Sequence, residues 1–342
     1  MAIQTEEKIE NVDIAVEKES FYPDKLTVST SPHIKHRDTS RRLMVDVIIA
    51  LLPALIFGIA YTFKQNVSLG INAIALTVFA VVSCMFFEWG FQKINRRPIT
   101  ILDFSAALTG LLLAMNVPAT LPVWMIVVAS FFAIVVVKQL FGGIGKNIVN
   151  PALAARVMLF MSFSEQMSGK AYDIDLVSSA TPLVSLKQGD LSGIKLFDLF
   201  IGNVEGSLGE TCALLLLLGA IYLLVRKVIT WHIPVAYLAT VALISFLFPI
   251  GGAERVTFML AELLSGGLIL GACFMATDYV TSPVTKRGRI IYGVIAGLIT
   301  VFIRFLCGNP EGVSFAIMIS NLLVWYLDKY TRPKRFGGVK KS

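Results

Sequence analysis

Ten apolar runs, parted by short polar or glycine- and proline-rich breaks, occupy the chain from Leu43 onward, at 44–63, 72–91, 101–116, 121–138, 148–162, 210–225, 232–249, 257–276, 290–306 and 313–328. A helix needs about 20 residues at a rise of 1.5 Å each to cross a hydrocarbon layer of about 30 Å. Most of the runs approach that length. Composition points the same way: 56% of the 342 residues are hydrophobic and 15% are charged, with a mean hydropathy of +0.74. Soluble domains carry about 25% charged residues, so a water-surrounded chain of this kind would lack the polar groups to cover its surface. The expected class is an all-α polytopic membrane protein of about ten transmembrane helices.

The third and fifth runs are too short to span alone. They are interrupted by Pro118 and Pro122, and by the Gly142-Gly143-Ile144-Gly145 stretch leading to Asn150-Pro151. Glycine- and proline-broken segments at membrane depth imply half-helices lining a cavity or path. An internal echo supports this. Thr109–Ala114, followed by Pro118 and Pro122, is similar to Gly266–Gly271 followed by Pro283, and Phe141–Asn147 corresponds roughly to Phe305–Glu311. Two units of five spans, an odd number, must lie upside down relative to one another. The expected organisation is therefore a tail (1–42), a first repeat (43–162), a long loop (163–208), a second, inverted repeat (209–328) and a basic tail (329–342). The acidic start and the late first apolar run give no sign of a signal peptide.

Charge orients the spans. With the N-terminus inside, the inner connections hold Lys93, Arg96 and Arg97, then Lys138 and Lys146, Arg226 and Lys227, Lys286, Arg287 and Arg289, and finally the basic tail. The outer connections hold only Lys64, Lys170, Lys187, Lys195 and Arg255. Cytoplasmic loops carry the excess of lysine and arginine, so both termini are expected in the cytoplasm and loop 163–208 outside. The net charge of +7 then reflects this bias, with no nucleic acid partner implied. Cys84, Cys212, Cys273 and Cys307 lie far apart, and His33, His36 and His232 make no HExxH pattern. No metal site and no disulfide framework are expected.

Ionisable groups within apolar runs are functional candidates by default, since burying one unpaired costs several kcal/mol. Glu262 and Arg304, near the outer ends of their runs, are expected to pair. Arg156 has no evident sequence partner and lies shortly before the long loop. Asp103, Glu88, Lys138 and Asp328 are expected to reach the interface from span ends. Asp46 and Asp278 lie near the cytoplasmic boundary, with Asp278 a candidate for an ion path.

The long loop contains Asp175-Leu176-Val177-Ser178-Ser179-Ala180-Thr181-Pro182-Leu183. Taken alone, this is an ordinary turn-forming stretch in which Pro182 biases Thr181 toward extended backbone. Two more stretches stand out, Phe141–Ala152 and Phe274–Pro283. The three in this order, on a ten-run pattern, resemble the family that holds the D subunit of the Rnf complex (RnfD) and the B subunit of the sodium-pumping NADH:quinone reductase (NqrB). The resemblance covers roughly residues 35–335, and chain length favours the Rnf side. In that family the pattern Asp-x-x-Ser-x-Ala-Thr resembles the signature at which a flavin transferase joins FMN to a threonine hydroxyl through its phosphate. Thr181 would be the acceptor, Ser178, Ser179 and Ala180 its small neighbours, and Asp175 a recognition residue. Ser179 departs from the usual glycine, and Tyr279 stands where proline is frequent. Arg156 would be placed to contact the FMN phosphate.

The resemblance implies a subunit of a complex in the bacterial cytoplasmic membrane. Electrons would pass between ferredoxin and NAD through flavins and iron–sulfur clusters, driving Na⁺ or H⁺ across the membrane. The implied partners are the G subunit, the iron–sulfur A and E subunits, the maturing transferase and the lipid bilayer. The subunit would have no catalytic residue of its own. A flavin-free channel or secondary transporter, supported by the inverted repeat, is the competing reading; a structural scaffold is the blandest.

Overall fold

A helix begins close to the start of each apolar run, and the turns between them are set by a few polar caps and glycines. The computed structural model describes residues 38–167, 182–187, 195–202, 206–252, 254–307 and 312–333, and these residues hold helices and no strand. Apart from single turns such as Ser164–Met167, the helices in chain order are α1 (Ser40–Gln65), α2 (Val67–Ile94), α3 (Ser105–Met115), α4 (Val123–Gln139), α5 (Pro151–Ser162), α6 (Pro182–Lys187), α7 (Leu196–Ile201), α8 (Ala213–Val225), α9 (His232–Leu247), α10 (Arg255–Leu264), α11 (Leu268–Met275), α12 (Lys286–Leu306) and α13 (Val313–Thr331).

Local chemistry explains where these helices start. Asn66 caps α2 by accepting the Ser68 amide at 3.0 Å. Asp103 caps α3 through both the amide and the hydroxyl of Ser105. Asn150 accepts the Ala152 amide at 3.0 Å ahead of Pro151, the first residue of α5. Side chains of this kind satisfy the amides that have no partner in the first turn, and proline at that position loses nothing. Before that cap, Gly142, Gly143 and Gly145 adopt φ values of 117°, 91° and 85°. Only glycine takes these readily, which explains the glycine spacing of the 141–147 stretch.

In line with the short third and fifth runs, α3 and α5 are short, at 11 and 12 residues, or about 16–18 Å of rise. The eighth run, which looks continuous in sequence, is bent. α10 and α11 meet at 63° across Ser265, Gly266 and Gly267, with Gly266 at φ +67°. Two helices end in wide turns: the last eight residues of α4 (Phe132–Gln139) and the end of α11 (Gly271–Met275) are π-helical. Among the described residues three helices, α1, α2 and α12, are each long and apolar enough to cross a membrane, and the bent α10–α11 pair passes the same test as one unit.

In the tertiary arrangement α1 packs on α8 and α5 on α13, while α2 packs on α4 and α9 on α12. The main core runs through the middle, with Leu51, Leu113, Leu153, Tyr237 and Leu270 fully or almost fully buried. Large apolar side chains also cover the outside, among them Ile71, Val78 and Phe86 on α2 and Leu298 and Phe302 on α12. Apolar surface this extensive marks contact with lipid or other protein.

Candidate functional site

Thr181, Asp175, Ser178, Ser179 and Ala180 lie outside the described residues. The residues directly after Thr181 lie within them. α6 begins at Pro182, and its Leu183 and Leu186 are buried with Leu199 of α7 and Phe258 and Ala261 of α10. The Lys187 ammonium donates to the carbonyl of Cys307, just past the end of α12. Beside this nest lies the expected ion pair: Arg304 Nη1 stands 2.6 Å from Glu262 Oε2, both side chains being 4% exposed or less. Arg304 also donates to the carbonyls of Glu262 and Ser265. A buried pair holds only when further hydrogen bonds satisfy the charged groups, and the carbonyls freed at the α10–α11 bend supply them.

Arg156 is buried where the two halves of the chain meet. Its Nη1 donates to Asn116 Oδ1 (3.1 Å), at the end of α3, and to Ser314 Oγ (2.8 Å), at the start of α13. Its Nη2 lies 3.4 Å from Glu210 Oε1, in the segment leading into α8. Sequence reasoning singled out Arg156 but missed these partners. They stand 40, 54 and 158 positions away, and Glu210 is disguised as the first residue of an apolar run.

A second centre joins α2, α3 and α4. Lys138 Nζ lies 2.8 Å from Glu88 Oε1 and donates to Ser105 Oγ at 2.7 Å, and Gln139 Nε2 donates to the same Glu88 oxygen at 2.7 Å. The expectation that Glu88 and Lys138 reach the interface is corrected here: their side chains are 1% and 4% exposed. The π turn at the end of α4 puts consecutive residues, Lys138 and Gln139, onto one carboxylate, which an α-helical projection of the sequence does not reveal. Asp46 is also paired, with Arg226 Nη2 at 2.9 Å and the Tyr222 hydroxyl at 3.2 Å, tying α1 to the end of α8. Asp328 accepts the Val284 amide.

Lys138 also lines a cavity of about 90 Å³. Its walls are apolar (Val47, Leu112, Leu223, Phe274), and Ser105, Thr109, Asn147, Asn150, Thr277 and Asp278 add polar groups. The stretches Phe141–Ala152 and Phe274–Pro283, far apart in sequence, meet on this cavity. Apolar walls with a few convergent polar groups are the usual make-up of a small-molecule site. Among the described residues no three His, Cys, Asp or Glu side chains converge as metal ligands.

The family profile described as NQR2, RnfD, RnfE matches residues 27–337. The chain belongs to this family. Among its curated members, the D subunit of the Na⁺-translocating ferredoxin:NAD⁺ oxidoreductase complex of Acetobacterium woodii is 44% identical, over 92% of this chain and 96% of the relative. The D subunit of the proton-translocating ferredoxin:NAD⁺ oxidoreductase complex of Clostridium ljungdahlii is 38% identical, over 91% and 96%. The D subunit of the ion-translocating oxidoreductase complex of Aliivibrio salmonicida is 33% identical, over 92% and 99%. Membership of the NQR2, RnfD, RnfE family thus covers both stretches that meet on the cavity and the whole of the long loop.

Proposed function

We propose that the chain is the D-type membrane subunit of an Rnf-type ferredoxin:NAD⁺ oxidoreductase complex, with FMN joined by a phosphoester to Thr181. Electron transfer through it is coupled to movement of Na⁺ or H⁺. The observation that carries this reading is the Asp175–Thr181 pattern in a chain whose relatives are named as D subunits of ion-translocating oxidoreductase complexes. Those names favour the Rnf side over the quinone-reductase B subunit. Two relatives name different ions, and the proposal carries both.

The sequence around Thr181 suits such a tether. A phosphoester needs one hydroxyl and small neighbours, which Ser178, Ser179 and Ala180 provide, and it needs no enclosing pocket. The scaffold's own contribution is an anchored helix, α6, starting at the next residue. When bound, FMN supplies one- and two-electron transfer; the protein tunes it through the charges and hydrogen bonds it places nearby. Arg156 is proposed as a contact of the phosphate, with Glu210 balancing its charge. The subunit works only with partners: the G subunit and the iron–sulfur A and E subunits for electrons, and a flavin transferase for maturation.

The membrane arrangement belongs to the same reading: ten crossings in two inverted five-helix halves in the bacterial cytoplasmic membrane, both termini inside and the Thr181 loop outside. It is supported by the lysine and arginine bias and by like elements meeting like, α1 on α8 and α5 on α13. A flavin-free transporter would share all of that. Co-expression with a flavin transferase separates the two: the purified chain should fluoresce under ultraviolet light in a denaturing gel, and Thr181→Ala should not. A dark wild-type band leaves the transporter reading in place.

A further inference from the structure

α6 has six residues, well below the length of about 12–15 at which an isolated helix becomes even marginally stable. Its persistence must come from the contacts that hold it, and it is held at three places. Leu186 has no exposed surface and Leu183 is 5% exposed, in the nest formed with Leu199, Phe258 and Ala261 and closed by Phe305. Leu183 lies against the bend between α10 and α11. A Cβ on Gly266 would stand 2.6 Å from Leu183 Cδ1 and 3.4 Å from Arg304 Nη2, so the bend is shaped to admit that leucine beside the Glu262–Arg304 pair. At the far end, Lys187 fastens α6 to the Cys307 carbonyl. The bent helix and α6 are one mechanical piece at this point.

We propose that α6 is a dock that fixes the root of the flavin tether beside the α10–α11 bend and so narrows the space the ring can reach, with Leu183, Leu186 and Lys187 as positioning residues. The inference rests on the flavin reading above. A phosphoester leaves several freely rotating bonds between the threonine and the ring, and electron transfer weakens steeply with distance. A tether on a loose loop would therefore spread the ring over many unproductive positions. Only two peptide units separate Thr181 from Leu183, a path of at most about 8 Å. Seating Leu183 accordingly fixes the root of the tether relative to the bend. No residue of the dock touches reacting atoms; the dock acts through position alone.

The test uses the flavinylated full chain in lipid nanodiscs and the assembled complex carrying the same variants. Three quantities are read: covalent flavin per chain, flavin fluorescence anisotropy after loosely held flavin is removed, and the rate of ferredoxin-driven NAD⁺ reduction. Leu186→Ala and Lys187→Gln should keep their covalent flavin while anisotropy falls toward that of free FMN. The rate should drop by up to about a hundredfold, the scale that a displacement of about 1 Å can reach. Leu186→Met, which refills the nest, should restore both. Leu76→Ala, at an equally buried site on α2, should leave the anisotropy unchanged. Wild-type anisotropy and rate in flavin-loaded Lys187→Gln and Leu186→Ala would overturn the dock; should Leu186→Ala fail to fold, Lys187→Gln alone decides. A wild-type chain without covalent flavin is a different result, and it overturns the flavin reading together with the dock.

Discussion

Glu88 on α2 and Lys138 on α4 face each other across 2.8 Å, both almost wholly buried, and share the Glu88 Oε1 atom with Gln139. The other oxygen, Oε2, makes no hydrogen bond among the described residues. Removing one partner of such a pair leaves an uncompensated buried charge, whereas replacing both by apolar or neutral groups is often tolerated. Lys138→Met should therefore destabilise the chain by about 3–5 kcal/mol. Glu88→Gln combined with Lys138→Met should recover most of that loss. Thermal unfolding of the four proteins in one detergent forms the double-mutant cycle; a double variant that loses the sum of the two single losses would refute the pairing.

Thr181→Ser keeps a hydroxyl and Thr181→Ala does not. On the phosphoester reading the serine variant should retain part of the covalent flavin and the alanine variant none. Intact-protein mass measurement reads this directly as the presence or absence of a bound FMN. An alanine variant that still carries the added mass would move the attachment point to another residue.

Arg156→Lys separates two roles. Lysine keeps the charge but cannot reproduce a planar fork that reaches Asn116, Ser314 and Glu210 together, because its ammonium is a single point on a flexible stem. A structural loss of about 1–3 kcal/mol is expected from the buried groups left without a donor. If the guanidinium also serves the FMN phosphate, flavin loading at a permissive temperature should fall as well; full loading with a lower melting temperature would leave Arg156 a brace between the two halves.

Much of this was legible in the chain because it is written in local patterns. Helices begin near the start of each of the ten apolar runs, and the shortness of α3 and α5 follows from Pro118, Pro122 and the Asn150-Pro151 cap. The Glu262–Arg304 pair was readable because two opposite charges sit at matching depths in otherwise apolar runs. The bend at Gly266 was hidden, since Ser265-Gly266-Gly267 is mild enough to pass within one apolar run, and only the seating of Leu183 and Arg304 shows why the chain turns there. The partners of Arg156 and the burial of Lys138 were hidden for another reason. They depend on pairings between distant elements and on a π turn, neither of which leaves a periodic trace. Thr181 was singled out only because the Asp175–Thr181 pattern resembles a family's attachment signature; taken alone the stretch is an ordinary turn.

Glycine has two distinct uses here, and three substitutions tell them apart. Gly110 on α3 lies so close to α2 that a Cβ would stand 2.6 Å from the Ala80 carbonyl oxygen and 2.8 Å from the Val81 Cα. Backbone cannot swing aside as a side chain can, so Gly110→Ala should push the two helices apart. The expected loss is about 1–3 kcal/mol, the range typical of overpacking. Gly145 has φ +85°, and a Cβ added there would meet nothing within 4 Å, so its only constraint is conformational. Gly145→Ala should lose about 1–2 kcal/mol, and Gly145→Asn clearly less, because asparagine tolerates the left-handed region far better. Unfolding midpoints of the three variants measure this directly. A Gly145→Asn variant as damaged as Gly145→Ala would mean that the loop before α5 is constrained by contact, with backbone geometry playing no part.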